Sequence, residues 1–310
     1  MMELKNEIIE KAFAIGFSKI GFTKVERLEK EYTQLQDWLS RGFNGTMGWM
    51  EKNLEKRIDP TKILPGAKSI ISVAINYYSD IHHSTDRHVG KISRYAWGND
   101  YHDVLENSLQ RLLDYIKQRE PLTDGKIYVD TGPVMEKVWA AHAGIGWQGK
   151  HTITITKEYG SWIFLGEIIC NLEFDYDSPS TDMCGDCRLC IDACPTQAIV
   201  EPYVLDATRC ISYLTIEHRG EVKNDIGERI DNWIFGCDIC QDICPWNRKY
   251  SRQSGISGFN PRDYNISPNL RSLLEITQDQ FNRKFENSPI KRRKLAGLKQ
   301  SVITVLKNSQ

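Results

Sequence analysis

Apolar residues recur at the spacing of a helix face in several stretches of the chain. Leu4, Ile8, Ile9, Ala12 and Phe13 mark an amphipathic helix within Met1 to Phe17. Val104, Leu105, Leu109, Leu112, Leu113 and Ile116 mark a long one from Tyr101 to Arg119. Pro133 to Ala143 reads as a helix with Pro133 in its first turn. Pro289 to Lys307 reads as another, with Leu295, Leu298, Val302, Val305 and Leu306 on one face. Shorter β-branched or aromatic runs predict strands at Ser69 to Tyr77, Lys126 to Val129, His151 to Thr156 and Ser161 to Cys170. This mixture predicts an α/β domain around one sheet over residues 1–175. A loop rich in Asp, Ser and Pro, Asp175 to Asp182, closes it. The clustered cysteines follow over 176–250, and 251–310 reads as a basic helical tail.

Composition adds limits. The 310 residues are 40% hydrophobic and 26% charged, ordinary for a globular protein. No apolar run approaches the ~20 residues of a membrane helix. The acidic, amphipathic start is unlike a secretory signal, so a cytoplasmic location is expected. The net charge of −1 hides an asymmetry: from Trp246 onward there are 13 Lys and Arg against 4 Asp and Glu. Such a stretch is either a solvated face or a surface for an anionic partner, nucleic acid first.

Nine cysteines in a reducing compartment point to metal or redox chemistry, not disulfides. Cys184, Cys187, Cys190 and Cys194, followed by Pro195, have the ferredoxin spacing for a 4Fe–4S cluster. In that run three thiolates wrap one cubane and the fourth reaches a second. Cys237, Cys240 and Cys244, followed by Pro245, repeat the pattern, and Cys210 completes it. Cluster one is therefore assigned to Cys184, Cys187, Cys190 and Cys244, and cluster two to Cys194, Cys210, Cys237 and Cys240. Two four-cysteine zinc sites are the alternative, though zinc knuckles rarely carry the third cysteine and trailing Cys-Pro. Cys170 reads as a core thiol. Gly144 to Lys150 (GIGWQGK) matches two phosphate-loop patterns, but a helix precedes it and a strand follows, the reverse of what such loops need.

Several motifs jointly resemble the epoxyqueuosine reductase family: the cysteine pattern, Val129-Asp130-Thr131-Gly132-Pro133, Ala143-Gly144-Ile145-Gly146-Trp147, Tyr95 to His102, and Cys210 to Thr215. The resemblance runs from the N-terminus to about Asn247. It implies a cobalamin-binding α/β domain of the nitroreductase and reductive-dehalogenase type, joined to a two-cluster ferredoxin-like module. It implies reduction of epoxyqueuosine to queuosine at the tRNA wobble position, the last step of queuosine biosynthesis. The cobalamin would sit base-off and cycle between cob(II)alamin and cob(I)alamin, charged through the clusters by a flavodoxin- or ferredoxin-type donor. Many members continue into HEAT-like repeats, of which only Arg292 to Lys307 resembles a part. A monomer is expected.

On the same resemblance Asp130 is the proton donor, which requires a raised pKa. The plainer alternative is that Asp130 or Thr131 caps the helix at Pro133. Cobalamin contacts carry over to Arg57, Ser93, Asp130, Thr154, Leu165, Ser212, Cys237 and Asp238. For Arg57 the alternative is a surface ion pair, and for Thr154 and Leu165 plain strand alternation. Trp97, Trp139 and Trp147 either line a pocket or belong to the core. Arg219, Arg248, Lys249, Lys291, Arg292, Arg293 and Lys294 are candidates for tRNA phosphates. A corrinoid dehalogenase or a ferredoxin-type electron carrier are the competing functions.

Overall fold

The structure is a computed structural model that describes residues 2–222 and 224–308. Its centre is a four-stranded antiparallel sheet, in the order Lys19–Lys24, Ser69–Asn76, Ile163–Cys170, Gly125–Tyr128. Both central strands are covered on both faces, which is why they read as nearly unbroken apolar runs. Ile71, Val73, Ile75, Phe164, Ile168 and Cys170 point to one face, where the helices Met2–Ile15 and Tyr101–Arg119 pack. Ile70, Ala74 and Ile169 point to the other, against the helix Glu136–His142 with its buried Trp139 and Ala140. That helix ends so close to the first strand that a Cβ on Gly21 would lie 1.9 Å from the Ala143 carbonyl oxygen.

The helix Tyr101–Arg119 has the expected bounds, and the Asp100 side chain caps it through the His102 N–H. The helix expected from Pro133 begins at Glu136, and its cap, Met135, offers no side-chain bond. Neither Asp130 nor Thr131 caps it. Of the strand expected at His151 to Thr156, Thr154–Ile155 pairs with Trp147–Gln148, and Thr156 forms an isolated bridge with Gly160.

In the cysteine-rich module the short helices Leu189–Asp192 and Ile239–Asp242 pack against each other. Its core continues without a break into the C-terminal segment. Ile211, Leu214, Trp233, Ile234 and Phe235 pack with Leu270, Phe281, Phe285, Ile290, Leu298, Val302 and Val305. Residues 251–308 are thus no free tail, and position 251 divides no core. The expected single helix from Pro289 is a 3-10 turn, Pro289–Arg293, then the α-helix Lys294–Lys307, with Lys294 at φ 59° between them. Among the described residues no helix is long and apolar enough to cross a membrane.

Candidate active site

A cavity of about 400 Å³ opens between the sheet domain and the cysteine-rich module. Four walls meet there. Ile163 and Leu165 come from the central strand, Tyr101 and Asp130 from the edge of the sheet domain, Thr154 from the hairpin, and Cys194, Cys210, Cys237 and Cys240 from the module.

The eight cysteines expected as ligands fall into two quartets. Burial raises the Cys190 thiol pKa to about 11, and the neighbouring Cys184, Cys244 and Cys187 add to the rise. Burial likewise raises Cys240, with Cys210, Cys190 and Cys194 adding. Cys237 is burdened by burial, then by Cys240 and Cys210. Eight thiols, Cys190 and Cys244 buried and the other six partly exposed, gathered in this way suit anionic sulfur around cationic iron. Among the described residues no three His, Cys, Asp or Glu side chains converge tightly enough for a single ion; a cubane, being wider, sets its ligands farther apart. Cys194, Cys210, Cys237 and Cys240 line the cavity, and Cys184, Cys187, Cys190 and Cys244 do not. Cys170 is fully buried in the sheet core.

Asp130 stands at the cavity edge with its side chain 54% exposed. Its backbone is left-handed, φ 54°, which is uncommon for a residue with a side chain. Its Oδ2 lies 3.3 Å from His102 Nε2, whose Nδ1 lies 2.7 Å from Asp100 Oδ1. Burial works to lift the Asp130 pKa, but the His102 hydrogen bond and charge outweigh it, with Tyr101 and Arg292 helping, and the carboxyl is held below its ordinary value. Burial works to lower His102, and the bonds to Asp100 and Asp130 push it instead to about 9. The raised pKa expected on Asp130 is therefore on its neighbour: at neutral pH the proton sits on His102, in contact with an ionised Asp130.

Of the other expected cofactor contacts, Ser93, Thr154, Leu165, Ser212 and Cys237 line the cavity. Asp238 is fully buried behind it, accepting from Ser93 Oγ at 2.5 Å, the Arg94 N–H at 2.9 Å and Arg94 Nη1 at 3.2 Å. It holds Ser93 in place. Arg57 lies off the cavity, bonded to the carbonyls of Lys52 and Trp49. Trp97 and Trp139 are core residues, and Trp147 packs edge-on against Trp246. The GIGWQGK segment is glycine-rich for packing, since a Cβ on Gly146 would lie 2.2 Å from the Ile155 carbonyl oxygen.

Thr154 Oγ1 and His151 Nε2 on the cavity wall are buried polar atoms that find no partner among the described residues. Orphaned groups cost stability unless a ligand meets them. A corrin, apolar across its face and fringed with amides, fits such a wall. His151 was not singled out by its sequence, where it reads only as the residue that spoils a phosphate loop.

Arg219 and Arg292 stand together: Arg219 Nη2 donates to the Arg292 carbonyl, and Arg292 pairs with Glu217 at 2.5 Å. The charge of Arg292 reaches Asp130, which puts this pair near the cavity. Lys291 and Lys294 are exposed. Arg293 is not; it is 2% exposed and donates to the His218 carbonyl, so it braces the fold and meets no phosphate. Arg248 and Lys249 lie on the helix that follows Cys244, away from the cavity lining.

Paired thiolate quartets behind a cavity that also holds an acid–base pair define an iron–sulfur oxidoreductase. The comparisons with known proteins are narrower. Residues 57–131 match the family model described as epoxyqueuosine reductase QueG, DUF1730, and residues 183–247 match a 4Fe-4S double cluster binding domain. An epoxyqueuosine reductase of Cellulophaga algicola is 44% identical over 94% of this chain and 94% of its own. A crystal structure of epoxyqueuosine reductase with an epoxyqueuosine-modified tRNA-Tyr stem loop superposes with TM-score 0.93, at 37% identity, over 99% of this chain and 81% of that one. The Bacillus subtilis epoxyqueuosine reductase, solved with its catalytic aspartate loop swung out of the active site, superposes with TM-score 0.92, at 36% identity, over 99% and 82%. This chain belongs to the epoxyqueuosine reductase family.

Proposed function

We infer that this protein reduces epoxyqueuosine to queuosine in the anticodon of tRNA, in the cytoplasm. Its chain is 44% identical, over 94% of its length, to a curated reductase of that name. The observation that carries the reading is one cavity faced by both the cluster-two cysteines and the His102–Asp130 pair. Electrons and a proton can therefore reach the same bound group. Removing the epoxide oxygen as water takes two electrons and two protons. Bound against Ser93, Thr154, Leu165, Ser212 and Cys237, cobalamin would supply the reductant for the epoxide carbon, recharged through the clusters by a low-potential donor protein. Asp130 and His102 supply the first proton to the leaving oxygen, with His102 holding it at neutral pH and Asp130 orienting the ring, and the second comes from solvent through the same half-exposed pair. Thr154 and His151 bind corrin amides. Arg219, Lys291, Arg292 and Lys294 bind phosphate, placing the stem-loop so that its flipped base enters the cavity. The protein acts as a monomer.

The test is incubation of reconstituted protein with epoxyqueuosine-bearing tRNA, cobalamin and a strong reductant, followed by nucleoside mass spectrometry. Queuosine is the expected product. Electron uptake by the clusters with epoxyqueuosine left intact would reduce the protein to an electron carrier.

A further inference from the structure

Beneath the Asp130 loop lie two carboxyl groups that the chemistry above does not use. Glu136 opens the helix Glu136–His142, and Glu167 lies in the central strand facing it. Glu167 is fully buried, and its Oε1 accepts from Ser72 Oγ at 3.3 Å. Its Oε2 meets no donor among the described residues. What the Glu167 carboxyl does meet is the carboxyl of Glu136. Two ionised carboxylates repel at such a contact, whereas one proton between them makes it a hydrogen bond. Glu136 also faces the loop: its Oε1 accepts the Asp130 N–H at 2.5 Å. That bond is made while Asp130 holds its left-handed backbone, a conformation that costs energy in any residue with a Cβ.

We propose that Glu136 and Glu167 are positioning residues, a proton-sharing pair that holds the Asp130 loop in register with the cavity. Glu136 grips the Asp130 backbone, and Glu167 grips Glu136. The proposal rests on the reductase reading. The groups facing the pair are Asp130 from its loop, Lys137 from the same helix and Ser72 from the neighbouring strand; His102 and Tyr101 reach Asp130 from the long helix. Burial, then the Asp130 charge, lifts Glu136 to about 7, and burial, then Glu136, lifts Glu167 well above the carboxylate range. Both shifts agree with a retained proton.

Three variants test this in the holoprotein. E136A removes the grip, and E136Q keeps an oxygen for the Asp130 N–H while its amide donates to Glu167 with no shared proton. E167Q removes the second acid. In E136A, amide exchange across residues 129–133 should accelerate, and kcat should fall roughly ten- to hundred-fold with KM for tRNA unchanged. E136Q should recover kcat to within about threefold of wild type. At neutral pH the infrared carbonyl band of a protonated carboxylic acid should be present in wild type and shifted in E167Q, where Glu136 loses the acid that shares its proton. Wild-type exchange in E136A, or an acid band unchanged by E167Q, would overturn the proposal. A wild-type protein that leaves epoxyqueuosine intact would overturn the reductase reading instead, because the exchange and infrared readouts need no turnover.

Discussion

Replacing His102 by Gln keeps a neutral hydrogen-bonding side chain beside Asp130 and removes the charge. The structure sets the size of the effect. A rise in the His102 pKa from 6.5 to about 9 corresponds to roughly 3 kcal/mol of preference for the charged ring in the folded state. Water at the half-exposed Asp130 screens part of this, leaving about 2 kcal/mol. The sign follows from a folded-state pKa above the unfolded one. The contribution is complete below pH 6.5 and disappears as the pH rises through about 9. For a chain of this length that is about 3 °C in Tm. The assay is the Tm difference between wild type and H102Q across that window, on protein prepared without oxygen. It should be largest at the acid end and close to zero at the alkaline end. Wild-type turnover should fall over the same alkaline range, and H102Q should lack that limb. A Tm difference that stays constant across the window would refute the argument, because the pair would then be held by contacts that do not titrate.

Three further results are expected. D130N should keep both clusters and bound corrinoid while turnover drops roughly 10²- to 10⁴-fold; wild-type turnover would remove Asp130 from the chemistry. R293A should destabilise the protein by about 2 kcal/mol in denaturant titrations and leave the salt dependence of tRNA binding unchanged. K291A should instead lower affinity and reduce the log–log salt slope by about one; the reverse pattern would show that burial misassigns these two cations. C170A should retain full iron content, whereas C240A should lose cluster two, and a C170A protein short of iron would contradict the quartets.

The sequence revealed the features that are local in the chain. The helix Tyr101–Arg119 was legible to the residue because its apolar stripe lies within one segment. The double-cluster module was legible because cubane geometry imposes short, fixed cysteine spacings. The start of the helix at Glu136 was not. Pro133 is a strong local signal, but the chain before Glu136 is committed to carrying Asp130 to the cavity edge. The sheet order was equally hidden, since pairing Ile163–Cys170 between Ser69–Asn76 and Gly125–Tyr128 is a matter of tertiary packing. The same holds for the groups around Asp130. His102, Glu136 and Glu167 come from three elements, and no spacing along the chain announces their meeting. Arg293 misled for a related reason: within a run of four cations nothing in the sequence marks the one that turns inward.

On the proposed function, charge entering through Cys184, Cys187, Cys190 and Cys244, which do not line the cavity, would take a route separate from that of the macromolecular substrate. A donor protein approaching cluster one need not compete with tRNA over the cavity. The enzyme can be recharged while its substrate remains seated, so loading and recharging have no compulsory order. Its steady-state kinetics should then follow a ternary-complex pattern, with donor and tRNA bound together.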